Sequence, residues 1–125
     1  MRVTMCQRQF VELIATGKKN QTIRPRGKRR PVVGEQRSLR HWEGLAYRSK
    51  QREIGAVTLV KVVDVEITEE GPIYEGVALC GPEMNAFARE DGFADWEQMH
   101  AWFDRHYQLP VAGVLMGWIP LQMRP

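Results

Sequence analysis

Two cysteines, Cys6 and Cys80, are too few and too far apart for a disulfide framework or a paired-thiolate metal site, and they read as buried or idle thiols. The three histidines, His41, His100 and His106, share no ligand spacing with them, so neither a metal nor a cofactor is implied. The chain also has no apolar run of the roughly 18 residues that a membrane span needs. Its opening Met1-Arg2-Val3-Thr4-Met5-Cys6 meets Gln7, Arg8 and Gln9 before a secretory apolar core can develop, so the expected location is the cytoplasm, with no membrane partner. Internal repeats, low-complexity tracts and a domain-scale linker are missing as well. What is left is a chain of 125 residues with ordinary globular composition, expected to form a single domain over 1–125. A chain of this length buries about two thirds of the surface its unfolded form exposes and needs no covalent staples.

The net charge of +3 conceals a strong asymmetry. Residues 1–52 carry 14 Lys or Arg against Glu12, Glu35 and Glu43, a surplus of +11, whereas residues 53–125 hold 4 basic and 12 acidic residues, or −8. Such a basic half is the footprint of a nucleic-acid face, because each phosphate neutralised by Lys or Arg releases counterions. Trp42 and Tyr47 lie among these charges, where they are placed to stack on bases. The competing reading is a solvated basic edge balanced by an acidic helix across the fold.

The pattern along the chain is mixed. Val3 to Met5 reads as a short strand, and Phe10, Val11, Leu13 and Ile14 as a helix from about Gln7 to Thr16 that Gly17 stops. Pro25-Arg26-Gly27-Lys28-Arg29-Arg30-Pro31 brackets four basic residues with prolines and a glycine and is expected to be an exposed, mobile loop. A strand follows from Gln36 to Arg40 with Leu39 inward, before the aromatic and basic segment running to Arg52. Ile54 to Ile67, rich in β-branched residues, is the clearest strand, and Val62-Val63 breaks its alternation where a bulge would suit a curling, barrel-like sheet. Ile73 to Leu79 reads as extended and Pro82 to Arg89 as a short helix. Phe93, Trp96, Met99, Trp102, Phe103 and Tyr107 then recur at helical spacing with Asp95 as cap, a stripe read as core packing. Gly113 to Leu121 closes the sheet as a returning strand.

The stretch that organises the rest is Gly17-Lys18-Lys19-Asn20-Gln21-Thr22-Ile23-Arg24. In a strand from Asn20, alternation puts Asn20, Thr22 and Arg24 on one face, and Gln21 and Ile23 on the other. Ile23 then anchors the core while Thr22 and Arg24 face a cavity. Lys19, at an odd offset from Thr22, converges with it only through a turn near Gly17.

Together with Gly34-Glu35 before the next strand and Asp91-Gly92-Phe93 leading into a helix with Trp96, Glu97 and Met99, this stretch resembles the ASCH domains of the PUA-like superfamily, over roughly Phe10 to Leu121. The resemblance implies an α+β fold, a small PUA-like β-barrel with helices around its mouth, and a cleft that handles RNA or modified nucleosides. Some members look like N(4)-acetylcytidine amidohydrolases, in which a Lys, a Thr three residues later and a distant Glu form the catalytic group. Lys19 and Thr22 match the first two positions, and the acidic position falls on Asp91, with Glu90 beside it. The Asp is one methylene shorter than the family's Glu, which matters where placement is sensitive to about 1 Å.

Three functions remain open. In a binding module for RNA or a nucleotide, Lys18, Lys19, Thr22 and Arg24 grip a phosphate or base edge, and Arg26, Lys28, Arg29, Arg30, Arg40 and Lys50 extend the contact while Trp42 and Tyr47 stack on bases. In an amidohydrolase, Thr22 is the nucleophile and Lys19 the base, its pKa lowered by desolvation and by Lys18 and Arg24, with Asp91 or Glu90 as the acid. In a metal-independent ribonuclease, Lys50 or Tyr47 acts on the ribose 2′-hydroxyl, a reading no histidine pair supports. The plain structural alternative leaves Lys19 exposed, Thr22 as a strand residue and Asp91 capping a turn. The sequence leaves the oligomeric state open.

Overall fold

A computed structural model describes residues 1–121 of the chain, so the expected domain of 1–125 extends past the described residues. In order, the elements are β1 (Arg2–Met5), a 3₁₀ turn (Arg8–Phe10) leading into α1 (Val11–Ala15), β2 (Gln21–Pro25), β3 (Gln36–Trp42), β4 (Gln51–Ile67), β5 (Pro72–Tyr74), β6 (Val77–Ala78), α2 (Pro82–Glu90), α3 (Trp96–Tyr107) and β7 (Val111–Trp118). Over the described residues the fold is a small mixed α+β arrangement of a seven-stranded sheet and three α-helices.

The long strand β4 is the spine. Its first half pairs antiparallel with β3, from Gln51↔Trp42 to Thr58↔Gln36. Its second half pairs with β7, from Leu59↔Trp118 to Ile67↔Val111, and its end also holds β5. β1 joins β3 in parallel, and β2 joins β7 antiparallel with Thr22 opposite Met116 and Arg24 opposite Val114. The sheet bends where β4 carries an extra residue. These residues are Ile54, skipped between Gly55↔Leu39 and Glu53↔Arg40, and Val60, skipped between Leu59↔Trp118 and Lys61↔Gly117. The expected bulge at Val62-Val63 is therefore displaced, since both residues pair regularly with Met116 and Leu115. The expected run Ile73 to Leu79 is instead split into the hairpin of β5 and β6, turned at Glu75-Gly76 with positive φ of 48° and 81°.

The sheet does not close into the expected barrel. No ladder joins β1 to β2 among the described residues, and the seam between them is crossed by the Arg24 guanidinium, which donates to the Met5 carbonyl. An arginine side chain thus spans a gap that a backbone ladder fills in a closed barrel.

The core is continuous across the sheet and helices, with Ile14, Leu39, Leu59, Ile67, Met99 and Leu115 almost fully buried. Each such side chain contributes about 1.5–3 kcal/mol through removal of apolar surface from water. α3 is fixed at its start by Asp95, whose Oδ1 accepts from the Gln98 backbone N–H at 2.9 Å.

Two helix ends matter most for the site, and both stop in the same way. After α1, Gly17 (φ 79°) and Lys18 donate their N–H groups back to Ile14 and Leu13. After α2, Gly92 (φ 94°) and Phe93 donate to Arg89 and Ala88. Each is a Schellman stop, in which glycine takes the left-handed conformation that closes the last turn. One stop launches Lys19 and the other fixes Asp91.

Candidate functional site

The Schellman turn at Gly17 is followed by Lys19, whose N–H also returns to the Leu13 carbonyl at 2.9 Å, and by Asn20, whose Nδ2 donates to the Gly17 carbonyl at 2.8 Å. This knot swings Lys19 inward. Its side chain is only 3% exposed, and its ammonium lies 3.3 Å from Asp91 Oδ1, whose side chain is 4% exposed. The ammonium donates to the backbone carbonyl of Asp91 and sits over the Phe10 ring at 4.3 Å from the centroid. The carbonyl end of α2 and the ring face both favour the cation. The Oδ1 contact is an ion pair set off the direction of a good hydrogen bond, and Oδ1 has no hydrogen-bond partner among the described residues.

Burial nevertheless dominates the electrostatics. Desolvation holds the Lys19 pKa below the ordinary lysine value, with the Asp91 carboxylate opposing the shift and Arg24 adding to it. Desolvation likewise pushes the Asp91 pKa up, against the pull of Lys19, Gln21 and Arg24. Arg24 therefore exerts the pressure on Lys19 expected from the sequence, whereas Lys18 is not among its causes.

Lys19, Thr22 and Arg24 together line one cavity of about 510 Å³, at the open seam between β1 and β2. Its volume falls within the range of small-molecule sites, about 300–1,000 Å³. Thr22 is nearly buried, and its hydroxyl has no hydrogen-bond partner among the described residues. Trp42 and Tyr47 form part of the rim, their rings 5.1 Å apart and tilted by 50°, with Tyr47 89% exposed. Ile23 is buried in the core as expected but also lines the cavity, together with Thr22 and Arg24.

Other expectations are redistributed. Glu90 is exposed and lines a separate groove with Lys18, Asn20, Gln21 and Lys61, so Asp91 and not Glu90 reaches Lys19. Asn20 also opens onto that groove, away from Thr22 and Arg24, because it lies in the turn before β2 and outside the alternation. The loop between β2 and β3 is not a free basic arm. Arg26 and Arg30 pair with Asp64 at 3.5 and 2.5 Å, and Arg29 pairs with Glu35 at 2.5 Å. Lys28 is exposed and has no ion pair among the described residues. Arg40 donates to Ser38 and Gln51 along β3 and β4, and neither it nor the exposed Lys50 lines the cavity.

Several cavity residues escaped the sequence reading, among them Trp102, Tyr107, Arg8 and Cys6. Trp102 and Tyr107 belong to the α3 stripe read as core, yet both face the cavity. Trp102 packs 6.1 Å from Phe10 and 5.7 Å from Phe93, and so ties the cavity wall to the aromatic cluster behind Lys19. Arg8, on the 3₁₀ turn, donates to the Glu43 carbonyl at the rim, and no sequence signal distinguishes it from the other arginines. Cys6, read as a buried or idle thiol, also lines the cavity, and burial raises its pKa against Arg24 and Lys19.

No family model, curated protein or solved structure matches the chain. The geometry stands by itself: a polar floor with a buried lysine, an unengaged hydroxyl and an arginine, beneath an aromatic rim. Among the described residues no group of three or more His, Cys, Asp or Glu is placed to hold a metal ion, and no helix is long and apolar enough to cross a membrane.

Proposed function

We propose that the chain is an ASCH-like domain that takes one base or nucleoside, from RNA or as a modified nucleoside, into the cavity floored by Lys19, Thr22 and Arg24. The observation that carries the proposal is that these three residues and the aromatic pair Trp42 and Tyr47 line the same cavity. Polar groups at the floor read a base edge, and rings at the rim stack on its face, which is how unpaired bases are recognised. A long electropositive track is less well supported, since three of the four basic residues in the Pro25 to Pro31 loop are engaged by Asp64 and Glu35.

Titration of tryptophan fluorescence with ribonucleosides and N(4)-acetylcytidine tests this. Saturable quenching is expected, weakened about tenfold in Trp42→Ala, because base–aromatic stacking is worth about 1–3 kcal/mol. Absence of binding by every nucleoside, or binding indifferent to Trp42→Ala, overturns it.

A hydrolytic reading rests on a separate observation: the buried Lys19 and the nearly buried Thr22, whose hydroxyl has no hydrogen-bond partner among the described residues, line the same cavity. With its pKa lowered, Lys19 takes the Thr22 proton as Oγ1 attacks the acyl carbonyl of an N(4)-acylated cytidine. The acyl C–N bond then breaks, the proton passes to the departing amine, and water releases the acyl group from Thr22. Asp91 does not line the cavity and in this scheme holds the lysine, not the substrate. Formation of cytidine from N(4)-acetylcytidine by the wild type and its loss in Thr22→Ala is the expected result. No cytidine, or equal turnover by both, removes this reading and leaves the binding function intact.

A further inference from the structure

A second cavity, of about 440 Å³, adjoins the first at Arg24, which lines both. Its walls carry Arg2, Arg24, Arg26, Arg29, Arg30 and Arg37, with Asp64 as the single acidic residue among the described residues. Arg2 and Arg37 come from β1 and β3, on one side of the open seam, and Arg24 and Arg26 come from the other side. With β1 and β2 unpaired, arginines from four chain segments line one space.

The charges there are incompletely balanced. Asp64 accepts from Arg30 at 2.5 Å and stands 3.5 Å from Arg26, so one half-exposed carboxylate serves two arginines. Glu35, outside the cavity, likewise serves Arg29 and Arg37, each at 2.5 Å. Four of the arginines therefore share two carboxylates, Arg2 and Arg24 have no ion pair among the described residues, and Arg24 Nε is buried there without a hydrogen-bond partner. Planar guanidinium forks converging from several sides favour a tetrahedral oxyanion, each offering paired donors to its oxygens.

Resting on the proposed base-binding function of the neighbouring cavity, we infer that the arginine cavity is a phosphate site, so that the ligand is a nucleotide: base in the first cavity, phosphate in the second, with Arg24 between them. Asp64 occupies part of the phosphate position, holding Arg26 and Arg30 until the ligand oxygens replace its carboxylate.

The test compares each ribonucleoside with its 5′- and 3′-monophosphates and with a short single-stranded oligoribonucleotide, by calorimetric titration at several salt concentrations. A monophosphate is expected to bind at least tenfold more tightly than its nucleoside, with an advantage that shrinks as salt rises. Arg26→Ala with Arg30→Ala is expected to abolish that advantage and leave nucleoside affinity unchanged. Asp64→Asn, which releases both arginines, is expected to enlarge it. All of these side chains are about half exposed, and unchanged thermal unfolding verifies that the variants fold. An oligoribonucleotide that binds more tightly than the mononucleotide identifies an RNA chain as the source of the phosphate, and equal binding identifies a free nucleotide. Equal affinity for nucleoside and nucleotide overturns the phosphate site while the base-binding function survives. Absence of binding by both overturns the two together.

Discussion

Lys19 and Asp91, 72 residues apart, form an ion pair at 3.3 Å with side chains 3% and 4% exposed, at the meeting point of two Schellman-capped helix ends. Two charges are withdrawn from water there, and attraction in a poorly polarisable interior only partly offsets that cost. Such a pair contributes little net stability but becomes costly when broken.

Asp91→Ala is accordingly expected to destabilise the fold by about 3–5 kcal/mol, because it strands a buried ammonium. Lys19→Met combined with Asp91→Leu is expected to lie closer to wild type than Asp91→Ala alone. Urea unfolding of the variants decides the matter, and a double variant at least as unstable as Asp91→Ala contradicts the pairing.

Gly92 is constrained twice. Its φ of 94° belongs to the left-handed region, and a Cβ there would stand 2.9 Å from Lys19 Cδ and 3.0 Å from Phe10 Cδ1. The backbone conformation alone costs a non-glycine residue about 1–2 kcal/mol, and relief of the clash displaces Lys19. Gly92→Ala is expected to lower both thermal stability and nucleoside affinity, whereas Gly76→Ala, at φ 81° in open space, is expected to lower stability alone. Unchanged affinity in Gly92→Ala contradicts the role given to Lys19.

Acid sensitivity is expected from Glu35, whose hydrogen bond from Arg29, aided by Arg37, lowers its pKa from 4.5 to about 2. The folded value lies below the unfolded one, so folding favours the ionised form. The resulting stability is present above pH 4.5 and is lost as pH falls through the folded value near 2. Glu35→Gln is expected to flatten the acid limb of a stability–pH profile in that window. A limb as steep as that of wild type contradicts the assignment.

If Lys19 serves as a base, its neutral form is the active one. The rate of N(4)-acetylcytidine hydrolysis is then expected to rise with pH and level off below the ordinary lysine range, since burial lowers the Lys19 pKa. Lys19→Arg, which does not deprotonate, is expected to be inactive at every pH. A pH-independent rate, or an active arginine variant, excludes Lys19 from that role.

Much of this architecture is legible locally. The β-branched content of β4, the Asp95 cap of α3 and the glycine stop at Gly17 are written within a few residues of where they act. The alternation of β2 is only partly followed, since Ile23 lines the cavity along with Thr22 and Arg24 while Asn20 does not. Features that need a distant partner are not legible in this way. The bulges at Ile54 and Val60 depend on the registers of β3 and β7, and the open seam depends on an absent ladder. Asp64 and Glu35 engage the arginine loop from other elements, so charge counting overstated its freedom. Trp102 and Tyr107 obey helical periodicity as core residues do, and only the packing shows that they also wall the cavity.

The central claim is that a base occupies the cavity floored by Lys19, Thr22 and Arg24. Mapping of backbone and indole N–H chemical shifts during titration with a nucleoside tests it most directly. The expected result is a single cluster of perturbed signals over Met5 to Arg8, Lys19 to Arg24 and Trp42 to Tyr47, with the Trp102 indole. Perturbations confined to the groove of Lys18, Lys61 and Glu90, or no perturbation at saturating nucleoside, would contradict it.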